Sequence, residues 1–328
     1  MRRREFIILL GGGAAVAWPR VAGAEGDGTR LVGVLMNMAA ESQEGQDRAA
    51  LFARALRNLG WEDGRNIKIE IRWAAGDPER FRSCAAELAA LNPDVVLAST
   101  TPAVTGLMQA THTVPIVFVG VIDPAGSGLI RSVSRPGGNA TGFVPFEYSL
   151  AAKWLQLLKE VAPNVTRVAV LRDPSVAAGI GQFAAIQAVG LSGMELSALD
   201  LRDAHEIEQA IAAFAREPNG GLIVTASSFG ANHPGLIAAF AAQSRLPAVY
   251  PFDYFVKAGG VISYGPELTD EFGRAADYVS RILKGEKAAD LPVQAPTRYE
   301  LIVNLKAAKE MGFTIPQGVL SRADRVIE

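Results

Sequence analysis

The stretch LASTTPAV, residues 97–104, decides the fold. Asp94, Val95 and Val96 lead into it, and the apolar run then stops at three hydroxyl side chains, Ser99, Thr100 and Thr101, before Pro102 opens a helical pattern. A short apolar run bounded by turn signals reads as a buried strand, and a proline at this point as the first turn of a helix. The unit is therefore strand, hydroxyl cluster, helix. It returns in GLIVTASSFGA, residues 221–231, with Ser227 and Ser228 in the place of the first cluster. Each unit is followed by a proline and a strand closing on an aspartate: VPIVFVGVIDP (114–124) in one half and LPAVYPFDYF (246–255) in the other. Proline and aspartate lie 16 and 24 residues beyond Ser99, and 20 and 26 beyond Ser227.

Upstream, RLVGVLM (30–36) is a buried strand and Phe52, Leu56 and Leu59 recur at helical spacing before Gly60. NIKIEIRW (66–73) alternates as a strand, and Asp77 with Pro78 caps the helix that follows. The second half repeats the order with TRVAVLRD (166–173), GMELSALDL (193–201) and a helix capped by Asp203. Alternating strands and helices predict parallel sheets wrapped by helices. The duplication predicts two similar three-layer α/β lobes rather than one large sheet. The glycines of SRPGGNATGF (134–143) mark the first crossover between lobes. The helix 267–283 and the strand RYELIVNL (298–305) read as later returns. Residues 25–143 with 265–290 are assigned to the N-terminal lobe, and 144–264 with 291–328 to the C-terminal lobe.

Parallel sheets bind ligands outside the carboxyl ends of their strands, where helix N-termini converge. Two lobes with facing binding ends form a cleft. Ser99, Thr100 and Thr101 then offer hydroxyls and backbone N–H groups to an anionic or polar group, or alternatively only cap a helix. Asp123 is a candidate for a ligand ammonium, and an aspartate before proline is equally an ordinary turn residue. Asp253 has the same two readings. Phe229, Tyr254 and Tyr264 are candidates for stacking on a planar ligand, against the commoner use of aromatics in cores. Asn37, Asp173, Ser175, Ser227 and Ser228 complete the rim, each falling just after a strand. Cys84 shares a helical face with Phe81, Leu88 and Leu91 and reads as core.

The chain of 328 residues is 49% hydrophobic and 20% charged, enough for a large core. Arg2, Arg3 and Arg4 precede the apolar run Phe6 to Val16, and Ala22-Gly23-Ala24 follows, which predicts an export signal at 1–24 cleaved after Ala24. Its RREFI core fits the twin-arginine pattern. Removing it takes away four arginines (2, 3, 4 and 20) against Glu5, so the net charge moves from -2 to -5. A mildly acidic chain is a poor match for nucleic acid. One cysteine permits no internal disulfide and no multi-cysteine metal site.

ASSFG (226–230) is a weak relative of the nucleophile elbow, but His112, His205 and His233 do not give its serine, acid, histidine order. A hydrolase is thus the weakest reading. A ligand-sensing module for a signalling partner is the alternative to a carrier, since fold alone does not fix function.

PIVFVGVIDPAGSGLIRSVSRPGGNATG (115–142), GGVISYGPEL (259–268) and PTRYELIVNLKAAKEMGFTIPQGVLSRADRVIE (296–328) together resemble the substrate-binding proteins of ABC importers, of the tryptophan/tyrosine type. The resemblance implies the type I periplasmic-binding-protein fold with a three-strand hinge, no enzymatic activity and no cofactor. It also implies a monomer in the periplasm that captures a small molecule, an aromatic amino acid or a related compound, by hinge closure. The solute would pass to a membrane permease with its ATPase.

Overall fold

A computed structural model describes residues 28–328 apart from 191–192 and 201–202. The export signal expected at residues 1–24 lies outside the described residues. In the first lobe, β1 (Arg30–Met36), β2 (Ile67–Trp73), β3 (Val95–Ser99), β4 (Ile116–Val119) and β5 (Ala140–Gly142) form a parallel sheet in the order β2-β1-β3-β4-β5. β3 and β4 are buried along their whole length, as strands covered on both faces must be. One face packs on α1 (Gln43–Asn58), and the other on α2 (Pro78–Ala90) and α3 (Thr101–Ala110). Asp77 caps α2 as expected, its Oδ1 accepting from the N–H groups of Glu79 and Arg80 at 2.8 and 3.1 Å.

The second lobe holds β6 (Arg167–Arg172), β7 (Glu195–Asp200), β8 (Gly220–Val224), β9 (Ala248–Tyr250), β10 (Ile262–Gly265), β11 (Glu300–Asn304) and β12 (Arg325–Ile327). The order β12-β11-β10-β9-β8-β6-β7, read from its far edge, repeats the first lobe's 2-1-3-4-5 sequence and extends it by two strands. Here α4 (Leu150–Val161) packs with α5 (Ala177–Val189), while α6 (Ala204–Phe214) packs with α8 (Pro234–Gln243), around one continuous core. The shorter α7 (Ser228–Asn232) and α9 (Asp253–Lys257) follow β8 and β9. The two lobes with parallel sheets are those the duplication predicts.

Two details differ from the sequence reading. β5 falls inside the stretch expected to be a pure crossover, because a three-residue strand is too short to leave an alternation pattern. Gly142 makes that strand possible: its φ is +154°, and a Cβ there would lie 2.0 Å from the Phe118 carbonyl oxygen. The second sheet is also not wholly parallel, since β11 runs antiparallel to β10. The reason is the path: between those strands the chain leaves to build α10 (Leu268–Leu283), which packs on α1 in the first lobe, and then returns. The chain thus passes between lobes after β5, after β10 and before β11. The first and third passages are tied together, Val144 N–H donating to Gln294 O at 2.9 Å and Gln294 N–H to Gly142 O at 3.0 Å.

Candidate functional site

In a sheet of order 2-1-3-4, the crossovers after strands 1 and 3 leave toward opposite faces, and a crevice opens at their carboxyl ends. Both lobes place that crevice toward the other. After β1 stands Asn37 and at the end of β3 stands Ser99, whose hydroxyl donates to Asn37 Oδ1 at 2.8 Å; both residues are buried. After β6 stands Asp173, and after β8 stand Ala226, Ser227 and Ser228. Thr225, just before them, is locked to the neighbouring strand by its hydroxyl on Leu171 O at 2.8 Å.

These residues line one cavity enclosing about 670 Å³ of empty space, part of it continuous with solvent. Of the sequence-predicted residues, Asn37, Ser99, Thr100, Thr101, Asp173, Ser227, Ser228 and Tyr254 lie on its wall. The lobes meet across it. Ser228 Oγ donates to Thr100 Oγ1 at 3.3 Å, and Asn232 Nδ2 donates to Asn37 O at 3.0 Å. Thr100 is the N-cap of α3 but makes no side-chain cap bond. Its φ of +79° and ψ of 161° lie in a region ordinarily left to glycine. Ser227 thus serves as a plain helix cap, its Oγ accepting from Gly230 N–H at 2.9 Å, whereas Thr100 does not.

Five predicted residues do not line this cavity, and each is engaged elsewhere. Asp123 holds a turn, accepting from Gly126 N–H at 2.8 Å. Ser175 donates its N–H and O–H to Asp173 Oδ1. Phe229 stacks on His233 with centroids 4.3 Å apart, and Tyr264 on Tyr299 at 6.1 Å. Asp253 is paired with Lys257 at 2.8 Å and Arg325 at 2.9 Å. Burial works to raise its pKa, but these two cations outweigh it and hold the carboxyl below its ordinary value.

Two charged residues on the wall, Arg48 of α1 and Glu271 of α10, were not among those expected from the sequence. Arg48 is 3% exposed. Its Nε donates to Glu44 Oε1 at 3.1 Å, and its guanidinium sits 5.7 Å from the ring centroids of Tyr254 and Phe272. Glu271 is 1% exposed and accepts from Gly120 N–H at 2.7 Å through Oε2. Burial pushes its carboxyl up to about 8, against the smaller opposing effects of the Gly120 bond and of Arg48 and Arg274. Both residues sit on the apolar face of their helix, though in the first turn of α10 the signal of Glu271 is shared with an ordinary dipole contact. Arg48 continues the apolar stripe of Phe52 and Leu56, and Glu271 that of Ala275 and Val279, at steps of four. A charge on the buried face of a helix requires a partner. The remaining wall is largely apolar, with Phe252, Tyr254 and Phe272 contributing rings.

Residues 42–327 match the family model described as ABC transporter substrate binding protein. The chain belongs to that family. Among relatives, it is similar to a tyrosine-binding protein of Clostridioides difficile (strain R20291), 24% identical over 79% of this chain and 75% of that protein. Among solved structures it resembles a conserved domain protein from Vibrio cholerae, with a TM-score of 0.84 and 27% identity over 91% of this chain and 100% of that one. It also resembles the ABC domain in complex with L-Trp from Streptococcus pneumonia, with a TM-score of 0.79 and 24% identity over 92% of this chain and 100% of that one. The family is one of solute binders, and open parallel sheets in general bind small molecules in the crevice outside their strand ends. Among the described residues, no cluster of three or more His, Cys, Asp or Glu is suited to a metal, and no helix is long and apolar enough to cross a membrane.

Proposed function

We propose that this substrate-binding protein works as the solute receptor of an ABC importer in the periplasm, capturing an amino acid with an aromatic side chain between its lobes. The observation that carries the reading is the shared cavity: the two hydroxyl clusters, 128 residues apart in Thr100 and Ser228, meet on one wall. A solute held there touches both lobes only when they are closed, so its binding energy favours closure. The hydroxyls and the N–H groups opening α3 suit a carboxylate. Phe252, Tyr254 and Phe272 suit a ring. The tyrosine-binding relative and the L-Trp complex support the choice of solute class. The export signal expected from the sequence supports the location, and a monomer delivering to a permease and its ATPase completes the proposal. The protein catalyses nothing in this account.

A thermal-shift screen of the purified chain against the amino acids tests it. A true solute at about 100 times its Kd adds roughly 2.7 kcal/mol of stability and is recovered unchanged. Tryptophan or tyrosine is expected to give the largest shift. Uptake of that solute should fall in a deletion strain, whereas a sensing module would leave uptake intact.

A further inference from the structure

Among the described residues, six buried side-chain polar atoms lack a hydrogen-bond partner. Three of them belong to the wall of the interlobe cavity: Asn37 Nδ2, Arg48 Nη2 and Glu271 Oε1. Arg48 Nη2 lies 3.1 Å from Glu44 Oε1, but its N–H does not point at that oxygen as a hydrogen bond requires. An unpartnered polar atom away from water costs on the order of 1–3 kcal/mol, more when charged, so three at one place mark a surface shaped for a polar guest. Two are donors, one of them cationic, and one is a carboxyl oxygen. A zwitterionic α-amino acid presents the complement, one ammonium and one carboxylate.

We propose that Glu271, through its free Oε1, is the receptor for the ammonium group of the captured solute, with Asn37 and Arg48 as donors to its carboxylate. This rests on the cleft-capture reading above and names the residue that makes the cleft select amino acids. Asp123 and Asp253, the carboxylates that the strand ends suggested, are committed to a turn and to ion pairs. Glu271 is held only through Oε2.

The groups that act on Glu271 are Arg48 from α1, the N–H of Gly120 after β4, Asp270 and Arg274 on its own helix, and Tyr299 before β11. Burial outweighs the favourable ones and keeps the carboxyl protonated near neutral pH. An arriving ammonium reverses that balance, because an opposite charge in contact stabilises the carboxylate. The Glu271 O–H proton then leaves to solvent as the ammonium–carboxylate pair forms. Capture is thus coupled to the release of one proton.

Calorimetric titration of L-tryptophan and L-tyrosine into the purified chain, in buffers of different ionisation enthalpy, reads that proton. Close to one proton released per solute is expected at about pH 7, with affinity rising about tenfold per pH unit between about pH 6 and pH 7.5. Glu271→Gln should abolish both effects. The desamino analogues, which keep ring and carboxylate but lack the ammonium, should bind the unaltered protein at least tenfold more weakly, roughly the cost of leaving a buried polar group unpaired. That arm needs no variant. Absence of proton release, or desamino analogues binding as tightly as the amino acids, overturns the assignment of Glu271 while leaving cleft capture standing. If neither amino acids nor analogues give heat, capture of an aromatic amino acid is wrong and the assignment falls with it.

Discussion

Thr100 is where a single residue departs furthest from ordinary backbone geometry. A threonine at φ +79° costs on the order of 1–3 kcal/mol, and the surrounding contacts must hold it there. The strain presents its hydroxyl to Ser228 of the other lobe. Thr100→Gly is therefore expected to stabilise the protein by about 1 kcal/mol in urea unfolding, the relieved strain outweighing the entropy cost of glycine. It should also weaken solute binding. A loss of stability would show that the backbone is not strained. Glu271 gives a second residue-scale expectation. Its folded-state pKa lies above its ordinary value of 4.5, at about 8, so its contribution is fully present below about 4.5 and is lost as pH rises toward 8. Relative to Glu271→Gln, the unaltered protein should lose stability across that window, by a few kcal/mol in order of magnitude. Equal pH profiles would mean the carboxyl titrates normally. The hydroxyls were legible in the sequence because they interrupt apolar strands. Glu271 was not, since an acidic residue in the first turn of a helix reads equally well as a favourable dipole contact.

At the scale of elements, the caps and strands were legible and the partners of the helices were not. Asp77 before Pro78 identifies the start of α2 without any tertiary information, and both backbone bonds it implies are made. Asp77→Ala should cost about 1 kcal/mol, measured by urea unfolding, and leave solute affinity unchanged because α2 does not line the cavity. By contrast, α10 could be read as a helix but not placed beside α1, more than 200 residues earlier in the chain. Their packing, pinned by Trp61 Nε1 donating to Ser280 Oγ at 3.0 Å just beyond α1, brings Arg48 and Glu271 to the same wall. Periodicity reports which face of a helix is buried and says nothing about against what. Asp253 illustrates the same limit: its place after β9 was legible, while Arg325, which claims it from the far end of the chain, was not.

For the whole molecule, the duplicated order 2-1-3-4-5 places two switch-point crevices face to face and lets the chain pass three times between lobes. Closure depends on close approach at the cleft mouth. Gly76 of the first lobe faces Asn232 of the second, and a Cβ at Gly76 would lie 2.9 Å from Asn232 Nδ2, at a φ of +74° that side chains rarely adopt. Gly76→Val should therefore prop the lobes apart and weaken solute binding by tenfold or more, about 1.4 kcal/mol. Small-angle scattering, with and without a saturating amino acid that stabilises the protein, reads the clasp most directly. The unaltered chain is expected to become more compact on addition, and Gly76→Val to respond less. An unchanged radius of gyration in the unaltered chain, with the solute shown to be bound, would mean that the lobes do not clasp it.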